Sequence, residues 1–142
     1  MEIKEILHII GKKSKNSQKE VAFAPHEIRQ KVLKLCAGKI KSNIEKIITK
    51  NKEDLDNAFR ADLKESYIDR LRLDEKRILD IVKSLNEISQ LPDPLQRKLD
   101  EWERPNGLKI SRKPTPLGVL GIIFESRPNV TADAAGLSIK SG

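Results

Sequence analysis

The sequence predicts an α/β chain that is rich in helix: a run of amphipathic helices, then a β-hairpin, then one strand and one helix that begin a parallel sheet. Three observations carry this. Apolar residues recur at steps of three and four through most of residues 1–90, the period of a helix with one buried face. From residue 98 the pattern alternates with period two around Pro105-Asn106-Gly107, strong turn chemistry. Finally, Leu117 to Phe124 is the only long apolar run in a charged chain, as in a strand buried on both faces.

Residues 2–10 predict a short helix with Ile3, Ile6, Leu7 and Ile10 on one side, ended by Gly11; Lys12 to Glu20 is polar and reads as a loop. His26 to about Thr49 predicts the longest helix, with Ile28, Val32, Leu35, Cys36, Ile40, Ile44, Ile47 and Ile48 as its inward stripe. Cys36 lies on that stripe and reads as inert packing rather than a reactive thiol. Asn51 is placed to cap a third helix, with Glu53 and Asp54 in its first turn and Leu55, Ala58 and Phe59 inward. A short helix follows near Ser66 to Leu71. Asp74 caps another, to about Ser89, turning Ile78, Ile81, Val82, Leu85 and Ile88 inward, and Pro92 and Pro94 close the helical part. His8 and His26 read as surface residues.

Residues 98–104 and 108–113 predict the hairpin. Pro116 precedes the apolar run, where a missing N–H costs a ladder least. Gly118 and Gly121 within the run suit a close approach by another backbone or a ligand. After the run stand Glu125, Ser126, Arg127 and Asn129, an acid, a hydroxyl, a guanidinium and an amide. Ligands of open α/β sheets sit at the carboxyl ends of strands, so these residues form the candidate site. Thr131 can cap the next helix, with Ala134, Ala135, Leu137 and Ile139 as its face, and Lys140-Ser141-Gly142 reads as its end. The expected division is a helical region at 1–95, a hairpin at 96–115 and the start of a second domain at 116–142.

Net charge is +7, and all of it falls in the first third: 12 Lys/Arg stand against 5 Asp/Glu in residues 1–50, and 16 against 16 thereafter. A basic third can contact nucleic acid, but these lysines alternate with Ile and Leu and have no aromatic neighbours to stack on bases, so a solvated helical surface is the expectation. A single cysteine excludes a disulfide framework and a cysteine-rich metal site. The absence of an 18-residue apolar run and of a signal peptide's apolar centre leads to the expectation of a reduced, cytoplasmic setting without membrane contact.

The block Pro116-Leu117-Gly118-Val119-Leu120-Gly121-Ile122-Ile123-Phe124-Glu125-Ser126-Arg127-Pro128-Asn129-Val130-Thr131, with Leu137 and Lys140-Ser141-Gly142, closely resembles the γ-glutamyl phosphate reductases (glutamate-5-semialdehyde dehydrogenases) of the aldehyde dehydrogenase superfamily. Asn51-Lys52-Glu53-Asp54, Tyr67-Ile68-Asp69-Arg70-Leu71 and Leu91-Pro92-Asp93-Pro94 are similar to that family as well. The resemblance runs from about residue 26 to the end. It implies that residues 117–124 form the first strand of a Rossmann-like nucleotide-binding domain. It also implies a reaction in which L-glutamate 5-phosphate is reduced with NADPH to L-glutamate 5-semialdehyde and phosphate, through a cysteine thiolate that holds the acyl group.

The loop Glu125–Asn129 would then lie beside cofactor and substrate, with Glu125 and Ser126 as cofactor-loop candidates. A strict match from Gly118 puts Arg127 where the superfamily has its oxyanion-binding asparagine, while Asn129 carries the amide. Arg127 suits an acyl phosphate or a carboxylate by its fork of donors, and Asn129 suits an oxyanion. The bland alternatives are that Arg127 pairs with Glu125 or a nearby acid and that Asn129 caps the helix. The resemblance puts the catalytic thiol downstream of Gly142, so Cys36 is not that thiol, and a truncated chain without activity of its own is expected. The alternatives are a split enzyme completed by another chain and a basic helical module for nucleic acid or an acidic partner. Family members associate through a hairpin like residues 98–113, which implies self-association as well.

Overall fold

A computed structural model describes residues 2–142. Eight elements follow one another: α1 (Ile3–Phe23), α2 (His26–Lys41), α3 (Ile44–Arg60), α4 (Glu65–Leu71), α5 (Glu75–Gln90), β1 (Asp100–Glu103), β2 (Lys109–Arg112) and α6 (Pro128–Lys140). The core lies where α2, α5 and α6 meet. Leu33 and Ala37 of α2 pack on Ile81, Val82, Leu85 and Ile88 of α5, with Ala132 and Ile139 of α6 against them. Gly136 lets α6 lie this close. A Cβ built there would stand 2.9 Å from Leu85 Cδ2 and 3.2 Å from Ile88 Cδ1.

Helix α5 forms as its sequence dictates. Asp74 Oδ1 accepts from the Arg77 N–H at 2.7 Å, and Ile78, Ile81, Val82, Leu85 and Ile88 are all buried. The hairpin also forms, with Asp100 opposite Arg112, Glu101 opposite Ser111, Trp102 opposite Ile110 and Glu103 opposite Lys109. Opposite charges at both ends of the ladder favour that register. Gly107 takes φ +81° in the turn, where a Cβ would be strained.

Elsewhere the structure departs from the sequence reading. Gly11 does not end α1, which continues through Lys12–Glu20 to Phe23. One glycine costs a helix only about 1 kcal/mol, and the lysines, Gln18 and Glu20 that follow are good helix formers. The long helix expected from His26 to Thr49 is two helices. Ser42 Oγ and Asn43 Nδ2 both donate to the Lys39 carbonyl, at 3.1 and 2.8 Å, and end α2. Such side chains compete with the backbone for helical partners.

The inward stripe of α2 is rotated by one residue from the expected one. Arg29, Leu33 and Ala37 are buried, while Ile28, Val32, Leu35 and Cys36 are exposed. Arg29, on the buried face, has its partners inside. Asn51 caps nothing. It sits within α3, 4% exposed, where Nδ2 donates to the Leu71 carbonyl at 2.9 Å and Oδ1 accepts from the Leu73 N–H at 2.7 Å. It thereby ties α3 to the α4–α5 loop. Phe59, expected inward, is exposed.

Residues 117–124 are not a strand. The sheet among the described residues is the two-stranded hairpin, and no described segment pairs with this run. A strand exists only through its ladder partners, and so Leu117 and Ile123 lie open to solvent. Gly118 takes φ +103°, which gives the glycine a backbone reason, and Gly121 has no atom within 4 Å of a built Cβ. Thr131 is not a cap either: α6 starts three residues earlier with Pro128 in its first turn, where proline's fixed φ suits a helix.

A buried polar cluster ties the ends of three helices. Arg29 Nη2 donates to both oxygens of Asp93 at 3.0 Å, and Arg29 Nη1 donates to the Lys140 carbonyl at 2.6 Å. Lys140 Nζ donates to the Ser89 carbonyl at 2.8 Å, and Gln30 Nε2 reaches the same oxygen at 3.0 Å. His26, expected at the surface, is mostly enclosed, its Nδ1 3.8 Å from Asp93 Oδ2. Burial opposes ionisation of Asp93, but the Leu95 N–H, the Arg29 guanidinium and His26 outweigh it and hold the carboxyl below its usual range. Burial, aided by the Arg29 charge and opposed by Asp93, pushes Lys140 below the usual lysine range. No described helix is long and apolar enough to cross a membrane.

Candidate functional site

The loop after the apolar run ends in a bend that feeds α6. Ser126 has φ +50°, the left-handed region that costs a non-glycine residue energy. This turn sends the chain from the extended run into the first turn of α6. Glu125 and Arg127 are exposed, and Arg127 holds the residue position just before the helix, without a side-chain capping bond. Arg127 makes no ion pair among the described residues, so its donors remain open.

Asn129 belongs to the first turn of α6 rather than its cap, and its Nδ2 donates to Asp133 Oδ2 at 3.2 Å. The other Asp133 oxygen accepts from Ser84 Oγ at 2.7 Å. Asp133 is thus fixed from two sides, and the second N–H of Asn129 stays available.

Pro128, Asn129 and Asp133 form one wall of a cleft of about 370 Å³, within the range of roughly 300–1,000 Å³ typical of small-molecule sites. The other walls are α5 and the turn from α4, with Asp69, Arg70, Arg72, Arg77, Asp80 and Ser84. Arg77 organises that turn. Its Nη1 donates to the carbonyls of Asp69 and, at 3.0 Å, of Arg72; its Nη2 donates to the Asp69 carboxylate at 2.9 Å. Arg70 donates from Nε to the Ser66 carbonyl and stacks over Tyr67, 4.4 Å from the ring centroid. Sequence reasoning placed Asn129 and its loop but missed these walls. Asp69-Arg70-Leu71 stood out only for its family resemblance, and nothing in the spacing said that it would face residues some sixty positions later.

Cys36 is exposed on α2 and does not line this cleft. Among the described residues no group of three or more His, Cys, Asp or Glu could hold a metal ion.

The chain can be set beside known proteins on this geometry. It is 45% identical over 137 residues to a γ-glutamyl phosphate reductase of Parvibaculum lavamentivorans, a match covering 96% of this chain and 32% of that protein. The crystal structure of the Thermotoga maritima γ-glutamyl phosphate reductase superposes with a TM-score of 0.87 at 36% identity, covering 92% of this chain and 31% of that one. The chain is homologous to the N-terminal part of γ-glutamyl phosphate reductase. The Saccharomyces cerevisiae γ-glutamyl phosphate reductase structure agrees, with a TM-score of 0.88 at 31% identity, covering 93% of this chain and 34% of that one. The chain spans about a third of the length of the curated relatives it matches. No protein-family model matches it.

Proposed function

We propose that these residues serve an NADPH-dependent reduction of L-glutamate 5-phosphate to L-glutamate 5-semialdehyde, NADP⁺ and phosphate, a step of proline biosynthesis. The single observation that carries this reading is the similarity over nearly the whole chain to γ-glutamyl phosphate reductases, block 116–131 included. In the reaction the acyl carbon loses its bond to the phosphate oxygen and gains hydride, and phosphate departs. When bound, NADPH supplies that hydride. The turn at Glu125, which is exposed, and Ser126, which is half-buried, would meet one edge of such a cofactor.

Arg127 would draw the phosphate by its open fork of donors, and the free Asn129 N–H would meet charge developing on the acyl oxygen. Cys36, the single cysteine, does not line the cleft, so in this reading another part of the enzyme supplies the thiol that holds the acyl group. The domain division at 1–95, 96–115 and 116–142 belongs to the same reading, as does self-association through the hairpin.

A second reading, completion by a separate chain, draws on the exposed apolar run 117–124, which offers an unpaired edge to any segment that can supply strands. The test joins this chain to the remaining two thirds of the Thermotoga maritima reductase and follows NADPH oxidation. Turnover dependent on L-glutamate 5-phosphate, with Arg127→Ala and Asn129→Ala each lowering kcat/KM by about tenfold to a thousandfold, is the expected result. A folded but inactive joined protein, or comparable turnover by the 142 residues alone, overturns it.

A further inference from the structure

We infer that the cleft between the α4–α5 turn, α5 and the start of α6 seats the amino-acid head of the substrate, with Arg70 and Arg72 taking its α-carboxylate and Asp80 and Asp133 its α-ammonium. This deepens the reading above and rests on it for the identity of the substrate.

The charges of the cleft divide into a structural set and a free set. Arg77 and Asp69 are consumed in fixing the turn. Arg72, held by its own carbonyl to Arg77 Nη1, makes no side-chain hydrogen bond or ion pair among the described residues. Arg70 spends only Nε on Ser66, which leaves its terminal N–H groups open, and Tyr67 orients its guanidinium. Asp80 is likewise without a side-chain partner among the described residues, and Asp133 is held in place by Ser84 and Asn129.

Two free guanidinium groups and two carboxylates leave a balanced cleft. Such a site can pair both charges of a zwitterion, each with a group of opposite sign. Tyr67 and the Ser66 carbonyl already orient Arg70, and Ser84 and Asn129 orient Asp133, which lowers the ordering cost of binding. Asn129 lies on the same wall, so a ligand anchored by its α-groups would run its side chain towards the loop 125–129.

The test is an amide NMR titration of the 142-residue chain with L-glutamate, with glutarate, which lacks the ammonium, and with 4-aminobutyrate, which lacks the α-carboxylate. L-Glutamate should give saturable shifts confined to residues 69–84 and 128–133. Both analogues should bind at least about tenfold more weakly, as the loss of one charged hydrogen bond implies. Arg72→Gln and Asp80→Asn, both at exposed positions, should weaken L-glutamate to the same degree, with Arg72→Lys intermediate. No saturable shift at those amides, or equal affinity for glutarate, would overturn the inference.

The titration needs no turnover, so the two readings fail separately. Selective glutamate binding beside a folded, inactive joined protein would sink the reaction and keep the cleft. Turnover whose KM ignores Arg72→Gln would sink the cleft and keep the reaction.

Discussion

Replacing Arg29 by Met keeps the aliphatic stem and removes the charge. The Arg29 and Asp93 side chains are only 4% and 8% exposed, so solvent cannot take over the lost contacts. The change leaves a carboxylate without its cation and the Lys140 carbonyl without its 2.6 Å donor. Removing one partner of a buried pair costs about 3–5 kcal/mol. Against a total of about 5–15 kcal/mol for a domain, that is about a fifth or more of the stability. Asp93→Asn added to Arg29→Met removes the orphaned charge, so the double variant should be more stable than Arg29→Met alone. Urea unfolding of the four proteins of the cycle measures both effects. A cost under about 1 kcal/mol for Arg29→Met, or additivity within about 0.5 kcal/mol, would refute a coupled clamp between α2, the loop after α5 and the end of α6.

Two further outcomes follow from the same core. Gly136→Val should cost about 1–3 kcal/mol by overpacking against Leu85 and Ile88, and an unchanged unfolding midpoint would show that α6 does not sit so close. The pH profile should have two sloping arms. The Asp93 carboxyl, held low in the fold, contributes stability above about pH 3.9 that is lost as pH falls through the depressed value. Lys140, also held low, binds its proton less tightly folded than unfolded; stability should therefore rise with pH between the depressed value and about 10.4. Unfolding midpoints across pH check both arms, and Lys140→Met should remove the alkaline rise.

The parts of the fold legible in the sequence were those decided by local chemistry. Asp74 with five spaced apolar residues gave α5, and Pro105-Asn106-Gly107 between alternating segments gave the hairpin. The parts that were not legible depend on distant partners. The buried face of α2 carries Arg29 in place of the expected apolar stripe, and its partners Asp93 and Lys140 lie 64 and 111 residues away. Asn51 had the residue type of a cap, but its two bonds reach Leu71 and Leu73. The site divides in the same way. Asn129 was visible because it follows an apolar run, while Arg70, Arg72 and Asp80 become a wall only when α5 and α6 pack together.

Residues 117–124 are extended and unpaired in the 142-residue chain, and the proposed function has them take up ladder partners in a joined reductase and so carry Glu125–Asn129 to the reacting groups. Amide hydrogen exchange tests it most directly. In the 142-residue chain the amides from Gly118 to Phe124 should exchange nearly as fast as those of an unstructured peptide. In the protein joined to the remaining two thirds of the Thermotoga maritima reductase they should be slowed by orders of magnitude, as ladder amides are. Fast exchange at these amides in a joined protein that turns over substrate would contradict the account.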